Sequence, residues 1–223
     1  AFNLGFKKSI GDFICFFAGD DIMTKDSIFT RLSCIDNNDS DFIASASKVK
    51  TISEISRFNN VIIPKNKHKG TLVGGAIMFN RLLGNKIFPI PEELPNEDRW
   101  AELHIKFFST IIHTPVISLF YRIHSQNSSS RTNVFKDKNI QMHKRLIVFK
   151  LFLYKYKETL SHANKYLLDK MAFAEDLRYR NKTFSLLLMQ GISIKEKIRF
   201  IFHSNSILYF IRLRFFSFFS GWG

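Results

Sequence analysis

Cysteine is nearly absent from this 223-residue chain, which carries only Cys15 and Cys34. Neither sits in a CxxC or Cys/His spacing, and this excludes a disulfide framework and a thiolate-rich metal site. Both read as buried thiols, a usage that fits a reducing cytoplasm. Long apolar runs are missing too: no segment reaches the roughly eighteen to twenty uninterrupted residues of a membrane-spanning helix. No signal-peptide pattern opens the sequence, no internal repeat divides it, and no nucleic-acid-binding fingerprint is present.

Acidic residues are scarce in the second half. Residues 131–223 hold 18 Lys and Arg against 6 Asp and Glu, net +12, whereas residues 1–130 hold 15 against 13, net +2. A pI near 9.8 would by itself suggest a nucleic-acid partner. A near-neutral half joined to a basic half instead fits a surface-binding extension. At 45% hydrophobic, with 25 Phe, the chain can build one sizeable core plus an appendage.

The most informative stretch is residues 11–22, GDFICFFAGDDI. It reads as a buried parallel strand that surfaces into two adjacent carboxylates, Asp20 and Asp21, and ligands of open α/β sheets sit at such carboxyl ends. Hard oxygen ligands suit Mg²⁺ or Mn²⁺. A solvated turn before a helix over residues 25–33, with Thr24 and Asp26 as capping material, explains the same acids. A second strand is expected over residues 42–49, and a loop with a short apolar insert over 53–70. Gly74-Gly75 marks either close backbone approach or a tight turn. Pro89, Pro91 and Pro95 make an extended loop before an amphipathic helix, residues 97–109, with Trp100, Leu103 and Phe107 on one face. Glu97 and Asp98 then lie in its first turn, where the helix dipole favours acids whatever their role. Residues 114–121 read as a strand with Tyr121-Arg122-Ile123-His124 at its exit.

Taken together, the Ala18-Gly19-Asp20-Asp21 tetrad, Gly74-Gly75-Ala76, Pro95-Asn96-Glu97-Asp98-Arg99 and Tyr121-Arg122-Ile123-His124 with Asn127 and Ser128 resemble the family 2 glycosyltransferases, inverting enzymes of GT-A fold. The resemblance covers residues 2–130, with Asn3 and Gly5 matching the family's Asn-x-Gly stretch, and Ala18 replaces the first acid of its Asp-x-Asp motif. It implies an α/β fold with a mostly parallel, GT-A-like sheet flanked by helices, and transfer of a sugar from a nucleotide-sugar donor to a glycan or lipid-linked acceptor. By the same resemblance Asp98 is the general base, with Glu97 as runner-up. Asp21, Asp20 and His124 would hold Mg²⁺ or Mn²⁺, and Asp20, Gly74, Gly75, Arg122 and His124 would meet the donor, Asp20 alternatively through its ribose. A histidine at a strand end is also explained by ordinary hydrogen bonding. The family places a nucleotide-gripping βαβ segment before the acidic strand, so a chain opening on Ala1 reads as the later part of a longer transferase.

The Ser- and Asn-rich residues 125–132 form the natural boundary between a catalytic portion, 1–130, and a helical, basic, aromatic-rich extension, 131–223. Apolar residues at three- and four-residue spacing predict helices over 140–153, 160–188 and 194–219. The last of these, with Trp222 beyond it, suits a bilayer interface as well as a bundle packed on the catalytic portion. The expected setting is the inner face of a bacterial plasma membrane, with attachment through the C-terminal helices, in surface-polysaccharide (O-antigen-like) synthesis. A basic nucleic-acid-binding protein and a catalytically silent scaffold are the alternatives.

Overall fold

The computed structural model describes residues 1–35, 38–95, 97–124 and 134–215. They form two compact units, one from Ala1–Pro91 and residues 97–124, the other from residues 134–215 with 92–95.

Residues 43–49 organise the first unit. Seven successive buried positions cannot belong to a strand with one wet face, and the small Ala44, Ser45, Ala46 and Ser47 let neighbours close on both sides. They open β3 (Ile43–Ser53), the middle of a six-stranded sheet with β1 (Phe13–Cys15), β2 (Ile22–Met23), β4 (Ile62–Ile63), β5 (Ile77–Asn80) and β6 (Thr110–Ile123). The order is β1-β5-β3-β6-β2, with β4 on β3. Among the described residues only β3 and β6 run parallel; the other four pairings are antiparallel. The sheet is therefore mixed, which corrects the expectation of a mostly parallel one.

The run 11–22 is not one buried parallel strand either. It supplies β1, half-buried and antiparallel to β5, and then β2 at the opposite end of the sheet order. Its apolar content serves another purpose between them. Phe16 leaves the strand to pack edge-on against Phe2, Phe79 and Phe88, with ring centroids 5.3–6.1 Å apart, geometry that aromatic quadrupoles favour.

The central β3–β6 ladder carries a register shift between the pairs Ala46↔His113 and Lys48↔Ile117. Pro115 falls inside that gap. Lacking an N–H, it cannot contribute a ladder bond, so the strand bulges around it. The chain at Gly70 crosses close by: a Cβ there would fall 1.8 Å from the Ala46 carbonyl oxygen, so only glycine fits.

Four helices frame this sheet: α1 (Phe2–Lys8), α2 (Ser27–Leu32), α3 (Arg81–Ile87) and α4 (Asp98–Phe108). Asn3 of α1 donates to and accepts from the backbone of Ile90, at 2.9 and 2.8 Å, and Phe6 stacks on Phe88. Asn80 caps α3 by accepting from Leu83 N. The amphipathic reading of α4 holds: Trp100 and Leu103 are buried, Phe107 is half-buried, and Trp100 Nε1 donates to Ile87 O at 2.7 Å.

In the second unit α5 (Phe135–Leu146), α6 (Val148–Lys155), α7 (His162–Tyr179), α8 (Thr183–Leu188), α9 (Ile194–Ile201) and α10 (Ser206–Arg214) follow one another. The long helices expected over 160–188 and 194–219 are each interrupted. Asn181 adopts a left-handed φ of 59°, Lys182 N bonds Leu177 O and Asn181 N bonds Arg178 O, a Schellman-type stop that ends α7. Asn205 then starts α10 by accepting from Leu208 N. Residues 216–223, including Trp222, lie outside the described set. No helix among the described residues is long and apolar enough to cross a membrane.

Candidate functional site

Asp20 and Asp21 lie in the turn that enters β2, and the β2–β6 pairing brings them to the far end of β6. Ile22 pairs with Phe120, so Asp21 is set beside the backbone two residues further along β6. Asp21 Oδ1 accepts from Arg122 N at 2.9 Å, Arg122 Nε donates to Asp20 O at 2.9 Å, and His124 Nε2 meets Asp20 Oδ2 at 2.9 Å. Four of the candidate residues, a hundred positions apart in sequence, thus form one hydrogen-bonded group at the end of two strands. Burial raises the Asp21 carboxyl above its ordinary range; the Asp20 charge adds to this, while the Arg122 amide and guanidinium oppose it.

A hard divalent cation suits this donor set to a limited extent. Among the described residues no group of three or more His, Cys, Asp or Glu gathers as a ready metal site. Asp20 and His124 nonetheless bring a carboxylate oxygen and a ring nitrogen within 2.9 Å of each other. A cation drawing one or two protein ligands, with waters and substrate phosphates for the rest, is what Mg²⁺ prefers.

A second part of the site joins the glycine turn to α4. Gly74 to Ala76 form a 3₁₀ turn leading into β5. At Gly74 a Cβ would come 3.2 Å from Asp98 Oδ1, and at Gly75 one would come 2.7 Å from Leu119 Cδ2. The glycines therefore let the backbone pass between the first residue of α4 and the face of β6. Glu97 occupies the N-cap of α4 without a capping side-chain bond, and Asp98 begins the helix. The side chain next to Gly74 is thus Asp98.

Sequence reasoning missed the residue that ties these parts together. Arg31 of α2 is 0% exposed. Its Nη1 donates to Gly75 O at 3.0 Å and Ile77 O at 3.2 Å, its Nη2 to Ser27 Oγ at 2.9 Å, and its Nε to Ser27 O at 3.1 Å. It pairs with no carboxylate among the described residues, and burial lowers its affinity for the proton. An arginine in a short helix reads as solvent-facing, but here the exposed positions are Ile28 and Phe29. That inversion of the usual pattern is the only sequence signal, and it shows only when the helix's buried side is known. Nearby, Thr24 N donates to Ser118 O, extending the β2–β6 contact, and the hydroxyls of Ser47 and Ser118 bond each other beside Ala76 O. Cys15 and Cys34 are half-buried, and burial pushes the Cys15 thiol up. Asn127 and Ser128 lie outside the described residues.

In fold the chain is similar to residues 1–349 of S. aureus TarS, a glycosyltransferase whose crystal structure was solved in complex with UDP-GlcNAc. The TM-score is 0.52 at 17% identity, over 92% of this chain and 61% of that one. The chain thus spans less than two thirds of the length of that structure. No protein-family model matches the sequence, and no curated protein does.

Proposed function

We propose that this chain belongs to an inverting glycosyltransferase, moving a sugar from a nucleotide-diphosphate donor to a hydroxyl of a glycan or lipid-linked acceptor. The observation that carries this reading is the approach of Gly74 to Asp98, which sets a carboxylate next to the backbone of a glycine turn. The fold shared with TarS, which binds UDP-GlcNAc in its crystal, supports a nucleotide-sugar donor.

Inverting transfer is a single displacement and needs one carboxylate on the acceptor side of the sugar. Asp98 has that role: it takes the acceptor proton as the new bond forms. Glu97, at the N-cap, is the alternate. Gly74 and Gly75 meet the donor through their backbone, since Asp98 and Leu119 fill the space on the side where a Cβ would stand. Arg122, hydrogen-bonded to the Asp20 carbonyl, would give the donor phosphates a fixed positive charge, and His124, held by the Asp20 carboxylate, would meet the same phosphates. Asp20, Asp21 and His124 are the residues that would hold Mg²⁺ or Mn²⁺, and Asp20 alternatively meets the ribose. When bound, such an ion offsets charge developing on the leaving diphosphate. The basic helical unit is the part that rests on the inner face of the plasma membrane, consistent with synthesis of a bacterial surface polysaccharide.

Asp98→Asn keeps the shape and removes the basicity. We expect donor binding by calorimetry with UDP-GlcNAc and Mn²⁺ to persist while transfer falls by about 10²–10⁴-fold, with Glu97→Gln less affected. Near-wild-type transfer by Asp98→Asn together with a dead Glu97→Gln would reverse the assignment.

A further inference from the structure

Two consecutive short helices in the second unit, α8 and α9, turn apolar residues outward. In α8 the buried side chain is Leu186, with Met189 buried just beyond, while Phe184, Leu187 and Leu188 are exposed, the first 73% and the last 67%. In α9, four-residue spacing puts Ile194 and Ile198 on one face, with Ile201 a turn further on. Yet Ile194 is 77% and Ile198 43% exposed, and the buried residue is Phe200 on another side. An amphipathic helix of a water-soluble bundle would do the reverse. Lys197 Nζ donates to Leu187 O at 3.2 Å, which holds the first turns of α9 against the end of α8. The exposed Leu187 and Leu188 thus end the helix that this bond joins to the helix carrying the exposed Ile194 and Ile198.

The charges around that surface narrow the choice of partner. Residues 182–215 carry six Lys and Arg, at 182, 195, 197, 199, 212 and 214, against the single acid Glu196, net +5. Exposed apolar residues in a stretch this rich in cations match the boundary between acyl chains and anionic headgroups, where Leu, Ile and Phe enter the interface and Lys and Arg stay at headgroup level. A water-exposed apolar patch of this kind marks an interaction site in a soluble protein. We propose that the α8–α9 hairpin is the element that enters an anionic bilayer, a placement that rests on the membrane association proposed above and not on the transfer chemistry.

The test uses the full 223-residue chain. Sedimentation with vesicles rich in phosphatidylglycerol is compared with vesicles of phosphatidylcholine alone. Wild type is expected in the pellet with the first and mostly in solution with the second. The exposed pair Ile194→Glu with Ile198→Glu keeps helix-forming residues at both positions. It should leave the circular dichroism unchanged and weaken partitioning about tenfold or more. Lys182→Gln with Lys195→Gln should weaken partitioning and flatten its dependence on salt. Phe210→Glu in α10 should have a smaller effect. Loss of binding in the Phe210→Glu chain with the Ile194/Ile198 pair unaffected would keep membrane attachment and remove the hairpin. Failure of wild type to bind anionic vesicles would remove both, while UDP-GlcNAc turnover in solution would stand or fall separately. If sedimentation velocity showed wild type dimeric and the Ile194/Ile198 variant monomeric, with neither on vesicles, the patch would be an interface between copies and the proposal would be overturned.

Discussion

Arg31 shows what a charge can do away from any counter-charge. A guanidinium presents five donors in a rigid fork, and here that fork reaches two carbonyls on the glycine turn and β5 together with both polar atoms of Ser27. Its Nη2 also approaches Met23 Sδ of β2, at 3.9 Å. The strand next to Asp21 and the turn next to Asp98 are thus fastened to one side chain. Removing it leaves the Gly75 and Ile77 carbonyls without that donor, at a cost of about 1–3 kcal/mol for a buried unsatisfied group. Arg31→Met is therefore expected to lower the unfolding free energy obtained from urea titration by that amount, and to lower transfer beyond the loss of folded protein. Arg31→Lys should recover part of the stability and little of the transfer, because an ammonium cannot span both carbonyls and Ser27. Equal activity per folded molecule in all three chains would reduce Arg31 to a packing residue. The acidic pair was legible because charged residues ending an apolar run are conspicuous. Arg31 was not, since nothing local distinguishes an arginine that points inward.

Among elements, the helical unit is held by a buried polar cluster. Arg178, fully buried, makes a two-pronged ion pair with Glu175 of the same helix, at 2.6 and 2.7 Å, and bonds Asn139 of α5 and the carbonyl of His203 at the end of α9. His143 adds its Nδ1 to the Glu175 carboxylate and stacks on Tyr179. One arginine therefore fixes three helices. His203 itself is buried and donates from Nδ1 to Arg199 O. Burial, followed by the charge of Arg212, pushes it from 6.5 down to about 3. The folded protein thus refuses a proton that the unfolded chain accepts. Stability from this group is complete above about pH 6.5 and is lost as the pH falls toward 3, about 2 kcal/mol of it by roughly pH 5. Unfolding of wild type and His203→Asn between about pH 5 and 7 checks this: the wild-type curve should slope downward on acidification and the variant's should flatten, and parallel curves would count against it. At this scale the sequence reads unevenly. Helical periodicity identified the region, but the stops at Asn181 and Asn205 depend on single asparagines whose capping role competes with their tolerance inside a helix. In the sheet, the strands expected over 42–49 and 114–121 were readable from the apolar runs, whereas the run 11–22 reads as one strand and holds two short ones. Strand directions were not readable, because pairing is settled by tertiary contacts that alternation does not encode.

At the scale of the whole molecule, the charge is divided as the structure is. The unit containing Asp20, Asp21 and Asp98 comes from the near-neutral stretch, and the helical unit from the stretch that carries net +12. Attraction to an anionic surface should accordingly be strongly screened. Raising salt from a few millimolar to about 0.15 M, where the Debye length is about 8 Å, is expected to weaken vesicle partitioning about tenfold or more and leave UDP-GlcNAc binding in solution nearly unchanged; partitioning indifferent to salt would mean that the basic stretch is not what attracts the protein. The Pro115 bulge has a consequence for how such a chain assembles. β3 and β6 are separated by a long intervening segment that must be closed before they can pair, so wrong alignments have time to form. A ladder of small, similar residues such as Ala44 to Ser47 would tolerate sliding by two positions with little change in packing. Pro115 restricts that tolerance, because an alignment that turns its nitrogen toward β3 puts a residue without an N–H on a rung that requires one. The interruption in the central ladder is therefore a registration mark, and it favours the docking of the late strand that places Arg122 and His124 beside the acidic turn.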